Sequence, residues 1–203
     1  MKTSIMRVVG LVFCLNAAEF STIYAATCSH SEVVNTDAGH IDFTFVNYVK
    51  HSIAYQKIRH ISTEDKAVDL ENGSRWSISK ADTVRGWESS KSVVVTQNHA
   101  SFSTARYALL NPELKLAVPA SLIREPAPKD ALYIASIDRV NDMVILSDNK
   151  KWIIHADDRS NLSKMQDHDR IIVGVNTSHD QDKSPYLLID TSNHHFVRAH
   201  NIE

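Results

Sequence analysis

Two stretches of this chain carry one pattern, and that pattern constrains everything around it. Ala67 to Ser79 and Met143 to His155 align without a gap, so that Val68, Leu70, Trp76 and Ile78 recur as Val144, Leu146, Trp152 and Ile154. At the bend between the apolar pairs, Glu71-Asn72-Gly73-Ser74 answers Ser147-Asp148-Asn149-Lys150. Alternating apolar residues on either side of a polar bend read as a β-hairpin, because successive strand side chains point to opposite faces and one face is buried. Asn72-Gly73 favours a two-residue type I′ turn in the first hairpin. A hairpin that comes twice implies a chain built from two related units.

The match continues beyond the hairpins after a small length difference. Val93, Val95 and Asn98 answer Ile171, Val173 and Asn176; Tyr107-Ala108-Leu109-Leu110 answers Tyr186-Leu187-Leu188-Ile189; Val118 answers Val197. The repeats therefore span about residues 55–123 and 131–203. Residues 124–130 between them, with Pro126 and Pro128, read as an extended linker. Each repeat holds about six short strands, spaced as in a small barrel or sandwich rather than a βαβ unit. Helix has room only in the connections 81–90 and 157–166. In the second of these, Asp157 or Asp158 is placed to cap a turn that puts Leu162 and Met165 on one face, and Trp87 is placed to pack similarly in the first. The fold expected is all-β: two tandem small SH3-like β-barrels, each with a short helical connection. Units of about 70 residues are marginal alone, so the two should pack together.

Residues 1–25 read as a secretory signal: Lys2 and Arg7, a short apolar run from Val8 to Leu15, then Ile23-Tyr24-Ala25 before the cut. The run is far shorter than the ~20 residues of a membrane span. The expectation is an exported protein, periplasmic or secreted, with no transmembrane segment. Cleavage leaves Cys28 as the sole cysteine, which excludes an internal disulfide and leaves crosslinking to a second chain, or lipidation, open. Residues 26–54 are an N-terminal arm, in which the alternation of Ile41-Asp42-Phe43-Thr44-Phe45 reads either as a strand added to the first repeat or as a loosely ordered segment. Removing Lys2, Arg7 and Glu19 from the 22 basic and 24 acidic residues leaves 20 and 23, a formal charge of −3. No basic stripe of the kind that binds nucleic acid is present.

Shared residues are those a repeated fold needs twice. Trp76 and Trp152, and Tyr107 and Tyr186, therefore read as core aromatics. Residues that differ between repeats are the candidates for function: Trp87, His155, His194 and His195 as ligand-binding residues. The chain has 11 histidines, so a metal site is the competing reading, with Asp157, Asp158, Asp167 and His168 as its ligands beside Asp169. No His-Glu-x-x-His motif supports it, and His194 and His195, being adjacent, face opposite sides of a strand. No Gly-x-Ser-x-Gly elbow is present, and the five glycines form no phosphate-binding loop, so no catalytic residue and no cofactor is assigned.

The repeated unit has an isoleucine strand, a Leu70-Glu71-Asn72-Gly73-x-x-Trp76 or Leu146-Ser147-Asp148-x-x-x-Trp152 hairpin, a valine-rich strand and a tyrosine strand. In these positions it resembles modules of uncharacterised exported tandem-repeat proteins of intracellular bacteria such as chlamydia-like organisms and legionellae. Such modules often carry Gly-Asp before the valine strand, where this chain has Ser90-Lys91 and His168-Asp169. The resemblance implies export and a tandem β scaffold, and no activity. The role expected is a non-enzymatic binding or envelope-interaction module for a protein or cell-envelope ligand. The alternatives are a small metal-dependent hydrolase using the second repeat's Asp/His cluster, and a structural envelope component joined through Cys28.

Overall fold

The computed structural model describes residues 33–43, 46 and 53–202; the expected signal segment and Cys28 lie outside them. The described chain is nearly all β. A hairpin of β1 (Val33–Thr36) and β2 (Gly39–Asp42) forms its own two-stranded sheet. The other twelve strands form one continuous sheet. They are β3 (Tyr55–Ser62), β4 (Ala67–Leu70), β5 (Arg75–Ile78), β6 (Ser92–Gln97), β7 (Tyr107–Asn111) and β8 (Leu116–Arg124), then β9 (Leu132–Asp138), β10 (Met143–Leu146), β11 (Lys151–Ile154), β12 (Arg170–Val175), β13 (Tyr186–Asp190) and β14 (Phe196–Ile202). Among the described residues, which leave out Thr44 and Phe45, the N-terminal arm's two strands pair with each other and not with the first half's strands. The arm buries Ala38, Ile41 and Phe43 completely.

In the second half, β9, β10, β11, β14, β13 and β12 pair antiparallel in that order, and β12 returns to β9, which makes a closed six-stranded barrel. In the first half, β3, β4, β5, β8, β7 and β6 have the same sequence of neighbours, β6 pairing with both β7 and β3. Closing a ring of strands leaves no row of unpaired backbone groups, so a unit this short exposes little edge.

Local backbone devices repeat between the halves. Val68 sits opposite Trp76 as Val144 sits opposite Trp152. β3 bulges between Ile58 and His60, and β9 bulges where Ile134 and Ser136 face consecutive residues of β10. Left-handed residues occur at Lys66 and Asp142, Gly73 and Asn149, Ser90 and His168, and Lys115 and His194. These conformations are local costs that a turn imposes, and finding them at matching places shows the same turns in use. The first hairpin's turn differs from the expected type I′. Gly73 N donates to Leu70 O at 2.9 Å, Leu70 N donates to Ser74 O at 2.9 Å, and only Gly73 has positive φ. That is a three-residue loop in which a type I turn is followed by a left-handed residue, a geometry that needs one permissive position instead of two.

Trp76 and Trp152 are buried, each meeting a tyrosine edge-on: Tyr107 at 5.8 Å and 88°, Tyr186 at 5.3 Å and 89°. The connections are short, as expected. The first is a 3-10 turn, Ala81–Val84; the second a 3-10 turn, Ala156–Asp158, followed by one turn of α-helix, α1 (Arg159–Leu162), with Leu162 and Met165 buried.

The halves join through the outward faces of corresponding strands. Val94, Ala108 and Leu110 belong to the buried cluster of the second barrel and the N-terminal hairpin, while Ile172, Leu187 and Ile189 belong to that of the first half. β6 and β12 run parallel and touch at Thr96 and Val175. The approach is close: a Cβ at Gly174 would lie 2.5 Å from the Val95 carbonyl oxygen. Arg106 Nη1 and Tyr107 Oη donate to His194 O at 2.5 and 2.7 Å, fastening the first half to the second half's β13–β14 turn. Residues 125–131 are docked too, since Ala127 N donates to Asn72 O at 2.8 Å and Glu125 pairs with Arg170 at 2.7 Å.

Candidate functional site

At one end of the second barrel, β14 presents Arg198 to two acids from distant loops. Asp158 accepts from the Arg198 backbone N at 2.7 Å, from Nε at 2.8 Å and from Nη2 at 2.8 Å, a fork that matches the planar guanidinium. Arg198 Nη1 donates to Asp180, which also accepts from the Ser178 hydroxyl and, at 3.1 Å, from Asn176 Nδ2. Burial alone would raise the Asp180 pKa, but the Ser178 and Asn176 bonds and the Arg198 charge bring it down to about 2. The Asp158 hydrogen bond raises the Arg198 pKa in turn. His155 completes the knot, with Nδ1 3.7 Å from Asp157 and Nε2 3.7 Å from Asp180.

Several residues singled out from the sequence meet here, and others do not. Asp157, Asp158 and His155 adjoin the knot. Asp158 does not cap α1; the Asp157 backbone N is bonded by the His155 ring at 3.4 Å, and the Asp158 carboxylate is held by Arg198. Asp167 is exposed, and His168 is held elsewhere, its N donating to Ile134 O at 2.8 Å and its ring 6.3 Å from that of Tyr133. Beside it, Asp169 is raised by burial and by neighbouring Asp190. Among the described residues, no group of three or more His, Cys, Asp or Glu side chains is arranged to hold a metal ion. Acids that could serve as ligands are bridged by a guanidinium instead.

Trp87 requires a correction. It is 6% exposed and sits in the first half's core cluster, so its ring offers no face to a ligand. The short 81–84 turn drives it inward, as its hydrophobic area favours. His194 acts through its carbonyl, at the junction of the halves. His195 is partly exposed, and burial followed by the Lys164 and Arg106 charges lowers its pKa.

The corresponding end of the first half is built from different side chains. The backbone bonds identify the counterparts: His155 N donates to Arg198 O at 2.8 Å, as Ser79 N donates to Pro119 O at 3.1 Å. Gln181 N donates to Ser178 O as Ser103 N donates to Ala100 O, which aligns Asp180 with Phe102. Asp158 corresponds to Asp82, whose side chain is 83% exposed and pairs with its neighbour Arg85. Where the second barrel has the Arg198 knot, the first half has a cavity of 470 Å³ lined by Asp37, Lys80, Ser101, Phe102, Ser103 and Pro119 among others. The N-terminal hairpin supplies one wall. At its turn, Asp37 accepts from Lys80 at 3.1 Å and from the Thr83 hydroxyl at 2.8 Å. Burial pushes the Asp37 pKa up, yet these two partners hold it below the usual carboxylate range.

Sequence reasoning missed Arg198, Asp180, Phe102 and Pro119. The available signal was the contrast between aligned positions, Pro119 against Arg198 above all, since a half-buried cation and a ring without a donor cannot do the same work. Comparisons with protein-family models, with curated proteins and with solved structures found no significant match.

Proposed function

We propose that this is an exported, non-enzymatic binding module made of two duplicated SH3-like barrels, engaging a protein or cell-envelope ligand from outside the cytoplasm. The observation that carries the reading is the asymmetry between equivalent ends: one is filled by Arg198, Asp158, Asp180 and His155, and the other is an open cavity of 470 Å³. A duplicated scaffold in which one end is sealed and the other open suits one unit that stabilises and one that binds. The hydrolase alternative would need Asp157, Asp158, Asp167 and His168 to come together and be free to ligate or to exchange protons. Asp158 is instead held by the Arg198 guanidinium, which cannot be deprotonated in a protein, and His168 is held apart by its bond to Ile134 O.

The test is affinity capture with residues 26–203 against envelope and host-cell extracts, followed by titration of the purified partner. A ligand bound by the intact chain supports the reading. Turnover of an ester, peptide or glycoside substrate by the same preparation, lost on Asp158→Asn, would overturn it in favour of the hydrolase.

A further inference from the structure

The open cavity of the first half also carries information about what it takes. It is a half-open depression of about 470 Å³, room for a small ligand lying against the surface with one side in solvent. Its charged side chains, Asp37 and Lys80, are paired to each other, so it presents no net charge to a ligand. Around that pair stand exposed hydroxyls, Ser79, Ser101 and Thr104, and the half-buried Ser103. Phe102 is fully exposed at the cavity, an unusual position for a large apolar ring, with Pro119 also lining it.

These features discriminate between ligand classes. An anion would meet the Asp37 carboxylate beside an already paired Lys80. A cation would find a single carboxylate already bonded to Thr83 and Lys80. A purely apolar ligand would strand the hydroxyls, at a cost for each one left unpaired. A peptide adding as a β-strand needs an open sheet edge along the cavity; β8, which carries Pro119, is paired on both sides, with β5 and β7, and the N-terminal hairpin reaches the cavity through its turn residue Asp37 and not through a strand edge. A neutral polyhydroxylated ring satisfies all four conditions. Its hydroxyls both donate and accept, as do those of serine and threonine, and its C–H face can lie on an aromatic ring.

We infer that the first half binds a neutral saccharide in this cavity, with the sugar face over Phe102 and its hydroxyls bonded to the serines and to the Asp37–Lys80 pair. This rests on the binding-module reading and names its ligand class. Asp37 makes the N-terminal hairpin part of the site, which the second barrel lacks. The second barrel is sealed at the equivalent place and binds no sugar there.

The experiment is a glycan array probed with residues 26–203, with peptide and anionic-glycan arrays alongside, followed by calorimetric titration of the neutral oligosaccharide retained. Phe102→Ala, a change at an exposed ring that leaves the core untouched, should weaken binding about tenfold. The double variant Phe102→Asp with Pro119→Arg, which imports the second half's knot, should abolish it. Val140→Ala, at an 89% exposed residue of the second half, should change nothing. An array with signal only for peptides or anionic glycans, or none at all, overturns the inference, as does binding that Phe102→Ala leaves unchanged. If an envelope protein is captured equally by the parent chain and by Phe102→Ala, the saccharide site is wrong while the binding-module reading stands. If no array and no extract yields a ligand, both fall.

Discussion

Pro119 and Arg198 occupy the same place in the two halves of this molecule: each accepts, through its carbonyl, the backbone N–H that follows the hairpin's second strand, from Ser79 at 3.1 Å and from His155 at 2.8 Å. One is a ring with no donor; the other is a cation held by two acids. The difference goes with an end that is open in the first half and filled by Arg198 and its acids in the second.

Arg198→Met should therefore be costly. Asp158 and Asp180 have side chains only 11% and 10% exposed, and removing the guanidinium leaves two largely desolvated carboxylates facing each other. We expect a loss of about 2–4 kcal/mol at neutral pH, measured by urea unfolding. A loss below experimental error would show that the knot contributes nothing to stability.

The knot also sets an acid limb. The folded Asp180 pKa, about 2, lies below its unfolded value, so the folded state holds the proton less tightly. The stabilisation is complete above the unfolded pKa, and it disappears as pH falls from about 4 to about 2. Allowing for solvent screening, the contribution is about 1–2 kcal/mol. Urea unfolding across this range should show the decline in the parent chain and a flatter profile in Arg198→Met.

Trp152 should be improvable. Trp76 Nε1 donates to Ser74 Oγ at 3.0 Å, and that hydroxyl donates on to Asn72 Oδ1 at 2.7 Å. The Trp152 Nε1 is buried with no partner, and the residue placed like Ser74 is Lys150, whose N bonds Asp148 Oδ1 at 3.1 Å as Ser74 N bonds Asn72 at 3.0 Å. Lys150→Ser should raise stability by about 1 kcal/mol, seen as a higher melting temperature. An unchanged or lower one would refute the transplanted bond.

Gly174→Ala tests the junction of the halves. Its Cβ would fall 2.5 Å from a backbone oxygen of β6, which has no flexible end to move aside. The expected cost is about 1–3 kcal/mol, with faster amide exchange at Thr96 and Val175. Protection of those amides equal to the parent's would mean that the strands can separate without loss.

Trp87 distinguishes a core residue from a ligand platform. Trp87→Phe keeps most of the buried ring and removes an N–H that has no partner, so stability should stay within about 1 kcal/mol. Trp87→Ala should cost about 3–5 kcal/mol. A ligand affinity lost in the Phe variant with stability intact would restore Trp87 to the binding surface.

Much of the scaffold was legible because its signals are local. Period-two alternation placed the hairpins at 67–79 and 143–155, and the recurrence of Trp76 as Trp152 marked both as core positions. The runs Ser92–Gln97 and Tyr107–Asn111 read as strands, but that they are covered on both faces, where the halves meet, came from the structure. The type I′ expectation failed because Asn72-Gly73 fits two turn geometries, and the chosen one depends on where the strands resume pairing. The sequence leaves Trp87 between a packing role and a ligand platform because a three-to-four-residue turn has too little periodicity to show which way its ring points; the structure packs it.

By itself, the sequence determined the β class, the two hairpins and their tryptophan cores, since these follow from alternation and turn chemistry within a dozen residues. The tertiary structure alone decided the candidate site. Asp158, Asp180 and Arg198 come from three separate segments, as do Asp37, Phe102 and Pro119, and none carries a spacing that reveals its partners. Which polar groups lose water, and which are left facing a cavity, depends on where the strand ends converge when the rings of strands close and pack on one another. That convergence is a property of the whole fold, written in no single stretch of the chain.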